Sequence, residues 1–258
     1  MGKLALHEFA IGGPAFDLPF PPARNPWNIN HHPGGSSSGS GSAVASGMLP
    51  AALGTDTGGS VRNPATSCGI VGMKATYGRV SKSGVMPLSY SLDHVGPMTR
   101  TVEDNALLLN AIAGYDKNDP STEQNQKLPD FTEFLQKGVS GLRIGLIRHF
   151  YTTDLKAEDE MCKAIDNAAE TFRKLGATVE EINVSPLSHF SSCNSIIMYS
   201  EALSIHDKWF KERPNDYSRA TRTRLMPGFF INGEDYVNAL RTRTKLAQEI
   251  NNQFANFD

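Results

Sequence analysis

Two short stretches rich in glycine and serine hold the residues whose types could do chemistry. Residues 32–47 read HPGGSSSGSGSAVASG and include nine consecutive glycines and serines, from Gly34 to Ser42. Residues 55–65 read TDTGGSVRNPA and form a second glycine-rich stretch. A serine hydroxyl becomes a nucleophile when a base removes its proton, and glycines let the backbone approach a substrate closely. If the two stretches meet, the sequence therefore predicts nucleophilic catalysis.

Three other interpretations of the first stretch compete with this one. A flexible Gly/Ser linker should be followed by a new unit, whereas this stretch continues into small apolar residues, AVASGMLPAALG, which can pack tightly. A phosphate-binding P-loop needs the lysine of G-x-x-x-x-G-K-[ST], which is missing. Residues 35–39, GSSSG, match the nucleophile elbow G-x-S-x-G, but NPWNINHHP before them is a poor strand. An active-site loop explains the stretch better.

The segment from Gly34 through Ala65 resembles the amidase signature family throughout its diagnostic motif. The match includes both turns, the small-residue helix between them and the ending D-x-G-G-S-x-R-x-P. The resemblance continues in ARNPWN (23–28), SCGIVGMKATYGRVS (67–81), SLDHVGPMTRTVEDNALLL (91–109) and GEDYVNALRTR (233–243). It covers nearly the whole chain, strongly over residues 23–109 and loosely beyond them.

The resemblance implies a Ser–cis-Ser–Lys triad that hydrolyses amides. Ser60 matches the nucleophile, and Ser36, which lies 24 residues earlier, matches the serine that bridges it to the lysine. The peptide bond between Gly35 and Ser36 corresponds to the family's cis bond. In the family an unprotonated lysine removes a proton through the bridging serine, which then passes it to the leaving amine. We expect Ser37 to be a structural hydrogen-bonding residue.

The second stretch supplies groups that could stabilise a developing negative charge. Backbone N–H groups that point at one spot form an oxyanion hole, and the absence of side chains explains the pair of glycines. The residues that we expect to form the hole, together with Ser60, are Thr57, Gly58 and Gly59. The resemblance implies a supporting ion pair between Asp56 and Arg62, and the alternative is that both are solvated and unpaired.

The resemblance leaves the triad without its lysine. The family's catalytic lysine lies on a strand well before the NPW segment, and we expect this chain to start after that strand. Lys3 follows the position of that strand, and Lys74 matches a lysine outside the triad. We therefore expect one amidase signature domain over residues 1–258 that is incomplete at both ends. An isolated chain of this kind should have little or no activity.

Composition limits the partners and the location. The net charge is −2, from 25 Lys and Arg against 27 Asp and Glu, which does not favour nucleic acid or an anionic membrane as partner. No apolar run reaches the roughly 18 residues of a membrane span. At the start of the sequence, Lys3, His7 and Glu8 interrupt the apolar core that a signal peptide would need. Three separated cysteines indicate a reducing cytoplasm. We expect a small-molecule amide substrate, no metal and no cofactor, and we consider a homodimer.

Residues 206–245 carry nine Lys and Arg against five Asp and Glu. They would contact tRNA if the protein were the A subunit of an amidotransferase, but a solvated helix face is the commoner explanation of such a segment.

Hydrophobic periodicity predicts the elements that must position these residues. Helices are expected at 101–113, capped by Thr101, and at 157–175, 188–211 and 233–255; strands are expected at 142–147 and 178–184. The order strand, helix, strand indicates a parallel crossover. Together with the resemblance, this predicts an α/β fold with a mixed central sheet flanked by helices on both sides.

The function implied by the resemblance is hydrolysis of a carboxylic amide to an acid plus an amine or ammonia, through a serine acyl-enzyme. One alternative is a glutaminase-type A subunit of a tRNA-dependent amidotransferase, which would have a tight protein partner. The other alternative is a catalytically inactive fragment that keeps the motif.

Overall fold

The structure is a computed structural model that describes residues 2–125 and 127–258. These residues divide into two compact units. The first unit comprises Met1–Glu133 and Met198–Ile231, and the second comprises Phe134–Ile197 and Asn232–Asp258. A single domain over residues 1–258 remains a prediction.

The chain forms both helices and strands. The α-helices are α1 (Ser38–Ala45), α2 (Arg62–Cys68), α3 (Val102–Ile112), α4 (Asp159–Lys174), α5 (Leu187–Glu212), α6 (Arg219–Leu225) and α7 (Gly233–Gln253). The strands are β1 (Ala51–Asp56), β2 (Val71–Gly72), β3 (His94–Thr99), β4 (Arg143–Leu146) and β5 (Thr178–Glu181). Short 3₁₀ turns lie at Glu8–Ala10, Pro214–Asp216 and Met226–Phe230, and a π-helical turn at Phe150–Asp154. None of the described helices combines the length and the apolar composition that crossing a membrane requires.

Each unit contains a small sheet. In the first unit β3 lies between β1 and β2 and is antiparallel to both. In the second unit β4 and β5 are parallel, and α4 connects them, which confirms the predicted crossover. The predicted α/β class is confirmed, and within the described residues antiparallel and parallel pairing occur in separate sheets.

The later helices follow the predicted periodicity, and their ends follow capping chemistry. Thr101 precedes α3, and its hydroxyl oxygen accepts a hydrogen bond from the amide of Asp104 at 3.1 Å, which satisfies one of the free amides of the first turn. Asn232 and Asp235 form a reciprocal capping box at the start of α7. Local sequence therefore determines where these helices begin.

The second part of the Gly/Ser run forms the start of a helix, and its small residues allow other segments to approach it closely. Helix α1 begins at Ser38, inside the run. The amide of Gly39 donates to the carbonyl of Ala5 at 2.7 Å, and the hydroxyl of Ser40 donates to the carbonyl of Leu53 at 2.7 Å. Helix α1 also packs against α2 and β1. These contacts fix the start of α1 beside the strand that leads to Ser60.

Among the described residues of the first unit, three buried apolar clusters support the fold. One lies under the turn that follows β1, a second packs α3 against β3, and a third packs α5 and α6 against earlier segments. Their buried members are Val61, Ala65 and Met98 in the first; Ala75, Val80, Val95 and Leu109 in the second; and Ile11, Leu88, Ala202, Tyr217 and Leu225 in the third.

The approach of Ser37 to β1 requires a glycine at position 54. The hydroxyl of Ser37 accepts a hydrogen bond from the amide of Thr55 at 3.1 Å and donates to the carbonyl of Thr55 at 3.3 Å. A Cβ atom on Gly54 would lie 2.6 Å from Ser37 Oγ and 3.0 Å from Met98 Sδ. A side chain here would therefore push the Ser36–Ser37 turn away from the strand.

We predict that Gly54→Ala lowers the stability of the protein by about 1–3 kcal/mol, the usual cost of overpacking a core. Thermal unfolding followed by circular dichroism measures the effect. Gly13→Ala is the matched control, because a Cβ atom at Gly13 would have nothing within 4 Å. An equal melting temperature for both variants would contradict the tight packing of Ser37 on β1.

Candidate active site

Ser60 lies in a turn between a strand and a helix. Strand β1 ends at Asp56 and α2 begins at Arg62, so residues 57–61 form the connection. Asp56 is fully buried, whereas Ser60 is half-buried and Gly58 is exposed. The turn therefore has a buried anchor at its start and an accessible serine near its end.

The carboxylate of Asp56 organises this turn. It accepts hydrogen bonds from the amides of Gly59 at 2.7 Å and Val61 at 3.2 Å. Nε and Nη2 of Arg62 donate to its two oxygens at 3.0 and 2.9 Å. The predicted ion pair is therefore present, in the bidentate geometry that favours arginine over lysine.

The protonation of Asp56 follows from these contacts. Burial, the largest single influence, would raise the pKa of the carboxyl group, but the hydrogen bond and charge of Arg62 together with the amides of Gly59 and Val61 outweigh it. The pKa of Asp56 is consequently lowered from its ordinary value of 3.8. The carboxylate is thus charged at neutral pH and can hold the turn.

The turn that contains Ser36 is hydrogen-bonded directly to the turn that contains Ser60. The amide of Ser37 donates to the carbonyl of Ser60 at 3.2 Å. The amide of Gly35 donates to Oδ1 of Asn63, in the first turn of α2, at 2.9 Å. The peptide bond between Gly35 and Ser36 is cis, as the resemblance implied. The structure therefore brings together the two Gly/Ser turns that the sequence singled out.

The turns of the two central serines are hydrogen-bonded through their backbones, but among the described residues the two serine hydroxyl groups are not bonded to each other. Ser36 is buried. Across residues 2–125 and 127–258, no hydrogen bond joins its hydroxyl to that of Ser60, although the bridging role that the resemblance implies for Ser36 needs the two hydroxyls within hydrogen-bond reach. The link between the turns runs through the backbone of Ser37 instead.

The backbone amides of the turn at residues 57–61 differ in whether they already donate a hydrogen bond. The amide of Gly59, which we expected in an oxyanion hole, donates to Asp56 and is therefore occupied. Within the described part of the chain, the amides of Gly58 and Ser60 have no hydrogen-bond acceptor. The hydroxyl of Thr57 donates to Oδ1 of Asp93 at 2.6 Å. Among the described residues, the Gly59 amide is therefore used inside the turn, whereas those of Gly58 and Ser60 are not.

A histidine that the sequence pattern does not single out packs on the cis peptide. The amide of His7 donates to the carbonyl of Ser36 at 3.0 Å, and a Cβ atom on Gly35 would collide with the His7 imidazole. Burial, followed by the charges of His32 and Arg224, lowers the pKa of His7 to about 4. His7 is therefore neutral near pH 7. No local pattern around His7 indicates this contact, because Gly35 and Ser36 lie far from it in sequence.

Lys74 and Lys3 have different surroundings. Nζ of Lys74 donates to the carbonyl of Ala75 at 3.0 Å and lies 3.4 Å from Nε2 of His94. Burial lowers the pKa of Lys74, the charge of Arg62 lowers it further, and Asp56 opposes the change. Lys3 lines a cavity of about 580 Å³. Neither lysine, within the described residues, hydrogen-bonds to Ser36 or Ser60.

The side chains that commonly bind metals are dispersed. Nowhere in residues 2–125 and 127–258 do three His, Cys, Asp or Glu side chains come together as a metal ion would require. The adjacent His31 and His32 belong to no such group.

We predict that Asp56→Asn destabilises the protein by about 1–3 kcal/mol, because the half-buried amide of Gly59 or the buried amide of Val61 loses its acceptor. Since the folded-state pKa of Asp56 is depressed, its contribution is present above the ordinary value of 3.8 and disappears as the pH falls through the folded-state pKa. The stability difference between wild type and variant, measured by denaturant unfolding, should therefore be largest near pH 7 and shrink in acid.

Asp207→Asn, which removes an exposed partner of Lys211, is the control and should change stability little. A difference that is constant from pH 7 to pH 3 would contradict the buried ion pair.

Comparisons with known proteins agree with the motif. The family model described as Amidase matches residues 1–258. The A subunit of glutamyl-tRNA(Gln) amidotransferase from Trichlorobacter lovleyi is 39% identical over 282 residues, and the match covers 100% of this chain and 58% of that protein. The corresponding protein of Enterococcus faecalis is 39% identical over 282 residues, with 100% and 57% covered. The chain thus spans less than two thirds of the length of these curated relatives.

Solved structures of similar proteins share the fold. One was described as an unexpected vestigial protein complex that reveals the evolutionary origins of an s-triazine catabolic enzyme. It aligns with a TM-score of 0.90 and 34% identity over 100% of this chain and 55% of the other. The A subunit of glutamyl-tRNA(Gln) amidotransferase from Thermotoga maritima aligns with a TM-score of 0.83 and 36% identity, over 100% and 56%. The site geometry, the family model and these structures lead to one conclusion: the chain belongs to the amidase family, whose signature the two Gly/Ser turns carry.

Proposed function

We propose that the complete protein cleaves the C–N bond of a carboxylic amide through an acyl-enzyme on Ser60, with Ser36 as the bridging serine. The observation that carries the proposal is the direct contact of the two turns, in which the amide of Ser37 donates to the carbonyl of Ser60. The contact joins the turn of Ser60, a half-buried residue, to the turn of Ser36, a buried residue, which supports the proposal of a shared site. The site so formed is accessible from the Ser60 side.

The proposed chemistry begins with attack of Ser60 Oγ on the amide carbonyl carbon. The proton of Ser60 moves to the hydroxyl oxygen of Ser36, whose own proton moves to a neutral base. The C–N bond then breaks, and the leaving nitrogen takes the proton that returns through Ser36. Water hydrolyses the ester on Ser60 by the same proton path, which releases the acid and restores the serine.

The amides of Gly58 and Ser60 are the proposed donors to the carbonyl oxygen as it becomes negative. They have no acceptor within the described part of the chain, so a substrate oxygen would satisfy them. Removing one such donor from an oxyanion hole costs about 10²–10³-fold in rate. The Gly59 amide and the Thr57 hydroxyl have the supporting task of holding the turn, through Asp56 and Asp93 respectively.

The base is proposed to be a lysine outside residues 1–258. Lys74 is hydrogen-bonded to a backbone carbonyl and lies beside His94, and among the described residues Lys3 has no bond to either serine. General-base assistance contributes about 10²–10⁴-fold. The isolated chain would therefore have little activity.

A glutaminase-type A subunit is the second candidate, favoured by the relatives that match the whole chain and bear that name. It would use the same acyl-enzyme with glutamine as donor and pass ammonia to a partner. Glutaminase activity that rises on addition of a co-purifying protein would favour this candidate. Turnover of aryl amides by the complete protein alone would favour an amidase with a small-molecule substrate. For the amidase, a cytoplasmic location and the absence of nucleic acid from the site remain part of the proposal, and a homodimer is considered as one assembly.

We predict that a fluorophosphonate labels Ser60 of the complete protein. The adduct is mapped by mass spectrometry, and Ser60→Ala should abolish both labelling and amide turnover. Ser46→Ala is the matched control, because Ser46 is exposed and its hydroxyl bonds to the carbonyl of Ala43, away from the two turns. An adduct on Ser36 or Ser37 with Ser60 unmodified would overturn the assignment.

We also predict that residues 1–258 expressed alone, with folding confirmed by circular dichroism, turn over simple aryl amides at least about a hundredfold more slowly than the complete protein. The reason is the missing base. Comparable turnover would contradict the proposal, and Lys74→Met and Lys3→Met would then show which lysine in this chain acts as the base.

A further inference from the structure

A buried glutamate on α5 holds the loop that follows residue 87. Both oxygens of Glu201 are used: Oε2 accepts from the Ser89 hydroxyl at 2.5 Å and from the Ser91 amide at 3.0 Å, and Oε1 accepts from the Ser91 hydroxyl at 2.7 Å. Glu201 lies 110 residues or more from these partners in sequence. A buried polar network whose hydrogen bonds are satisfied makes the segments that it joins more rigid.

The same loop carries an aspartate that reaches the candidate nucleophile turn. Oδ2 of Asp93 accepts from the amides of Leu88 and Ser89 at 2.8 and 3.0 Å. Its other oxygen accepts from the Thr57 hydroxyl at 2.6 Å. Thr57 begins the turn that contains Ser60. A continuous chain of hydrogen bonds therefore runs from Glu201 through Ser89 and Asp93 to Thr57.

We propose that Glu201 is a positioning residue for Ser60, which acts through the loop 88–93 and the hydroxyl of Thr57. The proposal rests on the proposed function, because it concerns the reactivity of Ser60. Glu201 itself does not touch the reacting atoms. It fixes Ser89, which is bonded to Asp93, and Asp93 holds the start of the turn whose amides would receive the substrate oxygen.

Apolar packing around the loop should keep the protein folded when the Glu201 carboxylate is removed, so an effect on the position of Ser60 can be measured separately. Leu88 is buried in the same apolar cluster as Ala202, which follows Glu201 on α5. Loss of the carboxylate leaves this apolar contact in place, so α5 should stay docked while the loop gains freedom. Misplacement of a reacting group by about 1 Å can cost on the order of 10²-fold in rate.

The test compares Glu201→Ala with Glu201→Gln in the complete protein. A glutamine can accept from Ser89 and the Ser91 amide with its oxygen and donate its NH₂ to the Ser91 hydroxyl, so it should preserve the chain of contacts. Asp207→Asn, on the same helix but exposed and paired with Lys211, is the matched control. The readouts are the rate of fluorophosphonate labelling at Ser60 and amide hydrogen exchange in a peptide that contains residues 57–61.

We expect Glu201→Ala to slow labelling by about 10–100-fold and to speed exchange in 57–61, whereas Glu201→Gln and Asp207→Asn stay near wild type. In a double-mutant cycle, Glu201→Ala should have a much smaller effect on labelling once Thr57→Val has already removed the hydrogen bond between Thr57 and Asp93. Unchanged exchange in 57–61, or effects of Glu201→Ala and Thr57→Val that simply multiply, would overturn the proposal. If wild type is not labelled at Ser60, the proposed function fails, and hydrogen exchange alone then decides whether Glu201 positions the turn.

Discussion

The carboxylate of Asp56 is the constraint on which the site depends. It is fully buried at the end of β1 and accepts from the amides of Gly59 and Val61 and from the guanidinium of Arg62. A buried charge is costly unless it is paired and hydrogen-bonded, so these partners have little freedom to move. The turn between strand and helix is thereby fixed, and Ser60 with it. Arg62, with its side chain 53% exposed, satisfies the charge from the solvent side.

The fixed turn serves as a platform for three other segments. The amide of Ser37 bonds to the carbonyl of Ser60, which ties the cis-peptide turn and α1 to it. Asn63 holds Gly35 from the first turn of α2. Asp93 holds Thr57 from the loop before β3. Each of these contacts joins residues far apart in sequence, so the site assembles only when the first unit folds.

The sequence is sufficient to predict structural features that join residues close to one another along the chain. The ion pair of Asp56 with Arg62 spans six positions of the motif, and the cap of α3 at Thr101 spans three, so pattern and motif predict both. The contacts of His7 with Ser36 and of Glu201 with Ser89 have no local signature, because each joins segments that only the tertiary fold brings together.

The hydrogen bond from the Gly59 amide to Asp56 could not be predicted from the sequence for a different reason. The motif indicates that an N–H group is present, but not which acceptor it chooses, and the carboxylate of Asp56 lies within hydrogen-bond distance in the folded chain.

The central claim is that this platform presents Ser60 to a carbonyl group whose oxygen is received by the turn. A crystal structure of the complete protein with a covalently bound phosphonate tests it most directly. The account predicts a bond from Ser60 Oγ to phosphorus, a phosphoryl oxygen within about 3 Å of the amide nitrogens of Gly58 and Ser60, and Asp56 still paired with Arg62. A phosphonate on another residue, or on Ser60 with its phosphoryl oxygen turned away from both amides, would contradict the account.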